Sequence, residues 1–267
     1  MTALTVDGLS VSYGSGRAAA DVVSAVSFDL AKGTTLGLVG ESGSGKSTVA
    51  KAIVGLVPVR EGTISLHGSA VTRSRGDRKR LVREVQMVFQ DPNSTLNPRL
   101  TVAAALTEAA NLLPRGERYD VENLMALVEL PAFLRDRFPH QLSGGQRQRV
   151  AIARALAVRP SVLIADEVTA SLDVSVQASV LNLLMGLREQ LGISCLFISH
   201  NIAVVRHVSD EIAVMHDSKL VEKGSSELVL AHPRAPYTKT LLAAVPRPFA
   251  AAADRSENPS HCPEVRS

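Results

Sequence analysis

Gly40-Glu41-Ser42-Gly43-Ser44-Gly45-Lys46-Ser47-Thr48 is the stretch on which the reading of this chain turns. The residues before it, Thr35-Leu36-Gly37-Leu38-Val39, are short and apolar, as a buried strand is. Those after it, Val49-Ala50-Lys51-Ala52-Ile53-Val54, suit a helix. Strand, glycine turn and helix around G-x-x-x-x-G-K-[ST] form the context of a phosphate-binding P-loop. Gly40, Gly43 and Gly45 can take backbone angles closed to other residues, and they let main-chain N–H groups approach an anion. The helix N-terminus adds the positive end of its dipole. Lys46 can reach the β- and γ-phosphates, and the Ser47 hydroxyl can ligate Mg²⁺. A glycine turn that binds nothing has no use for the lysine, the hydroxyl and both flanking elements together. The chain is therefore expected to bind a nucleotide.

Outside that stretch, 267 residues suffice for one large α/β domain with an inserted subdomain. A hydrophobic fraction of 45% is ordinary for a chain that buries a core. No run approaches eighteen consecutive apolar residues, so no membrane span is expected. The opening MTALTVDGLS lacks a basic start followed by an apolar run, so no signal peptide is expected. Cys195 and Cys262 are too few for a disulfide framework and fit a reducing compartment. A net charge of +3 permits contact with an anionic surface without requiring one.

Strands are expected at Leu4–Val11 and Val22–Leu30, with a turn at Gly14-Ser15-Gly16 between them, and at Glu61–Gly68 and Val85–Phe89. The run Arg73 to Arg83 is basic. It could be a nucleic-acid patch, but no aromatics are interleaved, and a solvated helix face is the preferred reading. Asp91–Pro98 is a Pro- and Asn-rich loop. Thr101 to about Arg137 reads as helical with breaks at Pro114 and Pro131, an inserted helical subdomain. Helices are expected at Gln146–Val158, Val174–Leu191 and Asn201–Val208, and buried strands at Val162–Ala165 and Ser194–Ser199. Ile212–Met215 and Lys219–Glu222 read as a closing hairpin.

Two constellations join the P-loop. The apolar strand Val162-Leu163-Ile164-Ala165 ends in Asp166 and Glu167. Such a strand is expected beside the one that feeds the P-loop, which would put Asp166 near Mg²⁺ and leave Glu167 to polarise a water. Leu142-Ser143-Gly144-Gly145-Gln146 opens the Gln146–Val158 helix. Taken alone it is a glycine-rich helix start; as an anion cradle it would be a second one. One nucleotide does not need two such helix ends from one chain, so the second is expected to serve the nucleotide of another chain.

These motifs together resemble those of the ATP-binding cassette (ABC) ATPases, over roughly residues 4 to 246. LSGGQ at Leu142–Gln146 is similar to the family's signature motif. Tyr13 matches the aromatic that stacks on adenine, Gly40 to Ser47 the Walker A motif, and Gln90 the Q-loop glutamine. Asp166 and Glu167 match Walker B and its catalytic carboxylate. Ser171-Leu172-Asp173 matches the D-loop, and His200 the switch histidine. The resemblance implies an α/β P-loop NTPase fold with a RecA-like core, an antiparallel β subdomain and a helical subdomain inserted at about 91–145. It implies catalysis by Glu167, His200 and Gln90, with Mg²⁺ held by Ser47, Gln90 and Asp166. ATP would be bound by Tyr13, by Gly40, Glu41, Ser42, Gly43, Ser44, Gly45, Lys46, Ser47 and Thr48, and by Asp173. Ser143, Gly144, Gly145 and Gln146 would bind the partner chain's ATP.

Phe89–Arg99 (FQDPNSTLNPR) and His232–Thr238 (HPRAPYT), with Leu241-Leu242 and Val245-Pro246, resemble the Q-loop and C-terminal extension, about 228–246, of the peptide/nickel importer group. The implied role is an ATPase subunit on the cytoplasmic face of the inner membrane. Its implied partners are two transmembrane permease subunits, a second ATPase or a copy of itself, and indirectly a solute-binding protein; nucleic acid is not among them. The alternative is a soluble ABC ATPase serving an enzyme complex such as carbon–phosphorus bond cleavage. Val168 and Asn201 depart from the family's usual proline and aspartate without removing a catalytic group. Cys262 alone cannot build the iron–sulfur centre of some relatives. The tail at 247–267 is expected to be poorly ordered.

Overall fold

The computed structural model describes residues 1–14, 20–72 and 74–244. The turn residues Ser15 and Gly16, Arg73 of the basic run, Val245 and Pro246 of the extension, and the 247–267 tail with Cys262 lie outside the described residues.

Strands β1 (Thr2–Tyr13) and β2 (Ala20–Ala31) pair antiparallel, and β3 (Thr35–Val39) leads into helix α1 (Lys46–Ile53). Strands β4 (Glu61–Leu66) and β5 (Ser69–Ala70) complete an antiparallel sheet in the order β2-β1-β4-β5. Helix α2 (Arg75–Glu84) carries the basic run. Leu81 is its buried residue, while Arg80 donates to the Ser69 carbonyl at 3.0 Å and Arg83 pairs with Glu117, so the run is a solvated face.

Strand β6 (Val85–Val88) is followed by α3 (Val102–Ala110), α4 (Val121–Leu127) and α5 (Gly144–Leu156). The expected helix from Thr101 is thus cut into short pieces. Pro114 and Pro131 each stand just before a 3₁₀ turn, at Arg115–Glu117 and Ala132–Leu134, where their fixed φ suits an N-terminal position. Strand β7 (Val162–Asp166), α6 (Val174–Leu191), β8 (Ser194–Ser199), α7 (Ile202–Val208), β9 (Glu211–His216) and β10 (Lys219–Ser225) follow. The second sheet runs β10-β9-β3-β8-β7-β6, parallel except for β10.

Every residue of β3, β7 and β8 is buried, because parallel strands are covered on both faces. The strand period survives as a partition between two cores. Val39, Leu163, Ala165, Cys195 and Phe197 pack with the helices from α3 to α7. Leu36, Leu38, Val162, Ile164, Leu196 and Ile198 pack with α1 and the antiparallel sheet. Burying a side chain such as Phe197, 1% exposed, contributes about 1.5–3 kcal/mol.

One expectation is corrected. Strand β7 does not lie beside β3: β8 is hydrogen-bonded between them. The three runs are equally apolar, so hydrophobicity alone cannot order them. The closing hairpin forms as expected, β9 antiparallel to β10, and β9 also pairs parallel with β3. Its turn residues Asp217 and Ser218, at φ 44° and 64°, have the left-handed conformation of a tight β-hairpin turn. Beyond it stand two helices that the sequence reading did not assign, α8 (Ser226–Ala231) and α9 (Pro236–Ala243). Their signals were present: the Ser225 hydroxyl caps the Leu228 N–H at 3.3 Å, and Pro236 opens the first turn of α9.

Candidate active site

The C-terminal ends of β3, β7 and β8 form one edge, and the loops leaving them carry the chemistry. After β3 the chain wraps into the P-loop, where Gly43 and Gly45 adopt φ of 85° and 104°. At Gly45 the need is double, because a Cβ there would lie 2.5 Å from the Val22 carbonyl oxygen. Lys46, only 4% exposed, folds back over the loop. Its ammonium donates to the carbonyls of Gly40 at 2.8 Å and Glu41 at 2.6 Å, and lies 3.3 Å from Ser44 Oγ. Burial lowers the Lys46 pKa, opposed by the carboxylates of Glu167, Asp166 and Glu41.

One strand further than expected, Asp166 still reaches the P-loop: Ser47 Oγ donates to its Oδ1 at 3.0 Å. Burial raises the Asp166 carboxyl above its ordinary range, against the lowering effect of the Ser47 hydrogen bond. A hydroxyl and a carboxylate this close together are hard oxygen donors. They suit Mg²⁺, which takes one or two protein ligands and completes its shell from phosphates and water. The residues therefore fit the ion.

Glu167 has φ 49°, a left-handed conformation that costs a non-glycine residue roughly 1–3 kcal/mol. It is held there by its own N–H to the Ile198 carbonyl and by the Ala170 N–H on its own carbonyl, both 3.0 Å. The bend turns its carboxylate toward His200, whose Nδ1 lies 3.2 Å from Glu167 Oε1. His200 leaves the end of β8 half exposed, between β8 and the Asn201 cap of α7.

Of the residues expected at the site, the structure thus brings Gly40 to Thr48, Asp166, Glu167 and His200 together. Others stay apart. Tyr13 ends β1 and is 44% exposed. Gln90 is exposed beyond β6 and, among the described residues, makes no hydrogen bond to Ser47 or Asp166. Asp173 is exposed at the N-cap of α6. Ser143 caps α5 in a reciprocal arrangement with Gln146, the Ser143 N–H reaching Gln146 Oε1 at 2.9 Å. Gly144 and Gly145 pack tightly on the α6 side. A Cβ would lie 3.4 Å from Leu172 at the former and 2.5 Å from Val176 Cγ1 at the latter.

The reading of single residues missed a set on the other side of the P-loop. The Glu41 N–H donates to Tyr237 Oη at 3.0 Å, and the Tyr237 ring stacks on His216 with centroids 3.8 Å apart. The Glu222 carboxylate accepts the N–H groups of Arg234 at 2.8 Å and Ala235 at 3.0 Å, holding the chain that leads into α9. The HPRAPYT run marked this stretch, but nothing local indicates where its tyrosine goes.

With this geometry in view, comparison with known proteins is informative. A family model described as ABC transporter matches residues 23–170. A protein of Brucella abortus (strain 2308), by name a peptide import ATP-binding protein, is 49% identical over 238 residues, 87% of this chain and 71% of its own length. One of Brucella suis biovar 1 with a name of the same kind is 42% identical over 250 residues, covering 92% of this chain and 79% of its own length. Among solved structures, cbiO1 of Clostridium perfringens, part of the transporter complex cbiONQ, has a TM-score of 0.76. It is 28% identical over 86% of this chain and 91% of its own. An ATP-binding cassette captured as a dimer with ADP and Pi after hydrolysis gives 0.72 and 28%, over 84% and 98%.

Proposed function

The chain belongs to the ABC transporter family, and from that premise we propose that it is the ATP-hydrolysing subunit of an importer of di- or oligopeptides. The observation that carries the enzymatic part is the gathering of Lys46, Ser47, Asp166, Glu167 and His200 at one sheet edge. Support for the peptide part comes from the 49% identical relative named for peptide import. Nickel remains within the reading through the group that the Q-loop and C-terminal stretches resemble.

In the proposed reaction the β- and γ-phosphates of ATP lie against the P-loop N–H groups and the Lys46 ammonium. Glu167 orients the attacking water and takes up its proton as the new oxygen–phosphorus bond forms and the bond from the γ-phosphorus to the β–γ bridging oxygen breaks, with ADP as the leaving group. His200, at 3.2 Å from that carboxylate, holds Glu167 in place and donates to the γ-phosphate. Mg²⁺, held by Ser47 and Asp166 with Gln90 joining on closure, would neutralise charge on the phosphate oxygens. Tyr13 stacks on adenine. Ser143, Gly144, Gly145 and Gln146, with Asp173, complete the site of a second ATPase chain, either a copy or a homologue.

We assign residues 1–246 to one ATP-binding unit, with the helices at about 91–145 as the part that meets the permease pair. Among the described residues no helix is long and apolar enough to cross a membrane. As the ATPase subunit of such an importer, it would sit on the cytoplasmic face of the membrane, held there by the permeases. Proteoliposomes carrying the permeases, both ATPase positions and a solute-binding protein test this. ATP-dependent uptake of a labelled dipeptide, lost in Glu167→Gln, is expected. Co-purification with soluble enzyme subunits and no permease would overturn it.

A further inference from the structure

We propose that Tyr237 is a positioning residue of the nucleotide site: its hydroxyl fixes the Gly40–Glu41 peptide in the orientation that holds Lys46 for the phosphates. The proposal rests on the reading of Lys46 as the phosphate-facing lysine.

The link is one peptide group long. The N–H of Glu41 donates to Tyr237 Oη at 3.0 Å, and the carbonyl of the same peptide, that of Gly40, accepts from Lys46 Nζ at 2.8 Å. A trans peptide is planar, so its N–H and C=O point in opposite directions and cannot turn independently. Pinning the N–H to Tyr237 therefore aims the carbonyl at Lys46. An ammonium has three donors. The Gly40 and Glu41 carbonyls take two, and the third goes to Ser44 Oγ at 3.3 Å, the longest of the three bonds and the one a phosphate oxygen would replace. Without the tether the 40–41 peptide is poorly restrained. Gly40 is free to rotate, and it must be glycine because a Cβ would run into the Met215 carbonyl.

Tyr237 is itself well anchored. Its ring lies on His216, at the end of the strand that carries Met215, with 13° between the planes. Glu222 holds the two residues that lead into its helix, which packs Leu241 and Leu242 against the larger core. Burial keeps the phenol protonated, since its pKa is raised despite the Glu41 N–H that lowers it. The C-terminal extension thus acts on the lysine of the P-loop without touching it.

Tyr237→Phe keeps the ring and its stack and removes only the hydroxyl. A lost hydrogen bond of about 1 kcal/mol corresponds to roughly fivefold in affinity. Titration of the purified full chain with MgATP and ADP should show both dissociation constants raised about 3- to 10-fold. Turnover at saturating ATP should stay within about twofold and the melting temperature within about 2 °C. Affinities within about 1.5-fold of wild type would overturn the proposal. So would a variant pair in which Tyr237→Ala binds weakly and Tyr237→Phe normally, since the ring alone would then matter. Lys46→Ala in the same titration separates the two claims. If it weakens binding while Tyr237→Phe does not, the P-loop reading stands and this proposal falls; if neither does, both fall.

Discussion

Two helix starts in this chain have the glycines and N–H groups to meet a phosphate, and they are furnished very differently. At α1 the glycine loop is surrounded by its own chain's chemistry: a buried lysine, a hydroxyl on a carboxylate, a second carboxylate and an imidazole. At α5 the Ser143 hydroxyl is turned inward to cap its own helix. In the proposed function the first is a reaction centre and the second a recognition surface for another chain's nucleotide. An anion-binding helix end is therefore a necessary feature of such a site and far from a sufficient one.

The comparison can be broken most severely at Glu167. Glu167→Gln removes the base at the first cradle and leaves the phosphate contacts, so turnover should fall about 10²–10⁴-fold with ATP binding retained. Rapid-quench measurement of phosphate release checks this, and near-normal turnover would take Glu167 out of the mechanism. Ser143→Asp comes next. Aspartate caps a helix as well as serine does, so α5 should persist. Its charge, about 4 Å from a partner's phosphate at an effective dielectric near 20, costs about 4 kcal/mol. Turnover in the assembled pair should drop by about two to three orders of magnitude while binding to the chain's own P-loop is unchanged. Gly145→Asp is a poorer probe, because its Cβ would meet Val176 Cγ1 at 2.5 Å before any nucleotide is involved. If the chain pairs with itself, mixing Ser143→Asp with Lys46→Ala puts both lesions in one composite site and leaves the other intact. Recovered activity from two inactive partners would then mark a shared site.

Lys46→Ala should weaken ATP binding about 10- to 150-fold, the worth of a charged hydrogen bond. Calorimetric titration reads it directly, and unchanged affinity would dissolve the contrast between the cradles. The smallest effect concerns stability. Burial raises the Asp166 pKa, so its contribution is stabilising below the ordinary value of 3.8 and is lost as pH rises through the raised value. At pH 7 the ionised group is a net cost to the nucleotide-free protein. Asp166→Asn should therefore raise its melting temperature at pH 7 by about 2 °C, with the gap closing toward pH 4. A lower melting temperature at pH 7 would show that the carboxylate is already compensated.

Much of this was legible in the chain. Glycine spacing, the Asp166-Glu167 pair after an apolar run and His200 after another locate the chemistry, because each sits at a strand end where periodicity and polarity change together. The order of the strands was not legible. Runs that are apolar at every position carry no record of their neighbours, which is how β8 came to lie unannounced between β3 and β7. The contact of Tyr237 with Glu41 was hidden for a related reason. It depends on the tertiary path of α9, and the tyrosine's local surroundings, Pro236 and Thr238, report only a helix start.

That contact also sets a timetable. Glu41 and Tyr237 are 196 residues apart, and β3 finds its parallel neighbours only in residues 194–216. A ribosome adding about 5–20 residues per second delivers the tyrosine roughly 10–40 s after the loop it restrains. For that interval the nascent chain carries the glycine loop without the sheet that seats it. The antiparallel strands β1 and β2 can pair at once, while the nucleotide site must wait for residues 194–237.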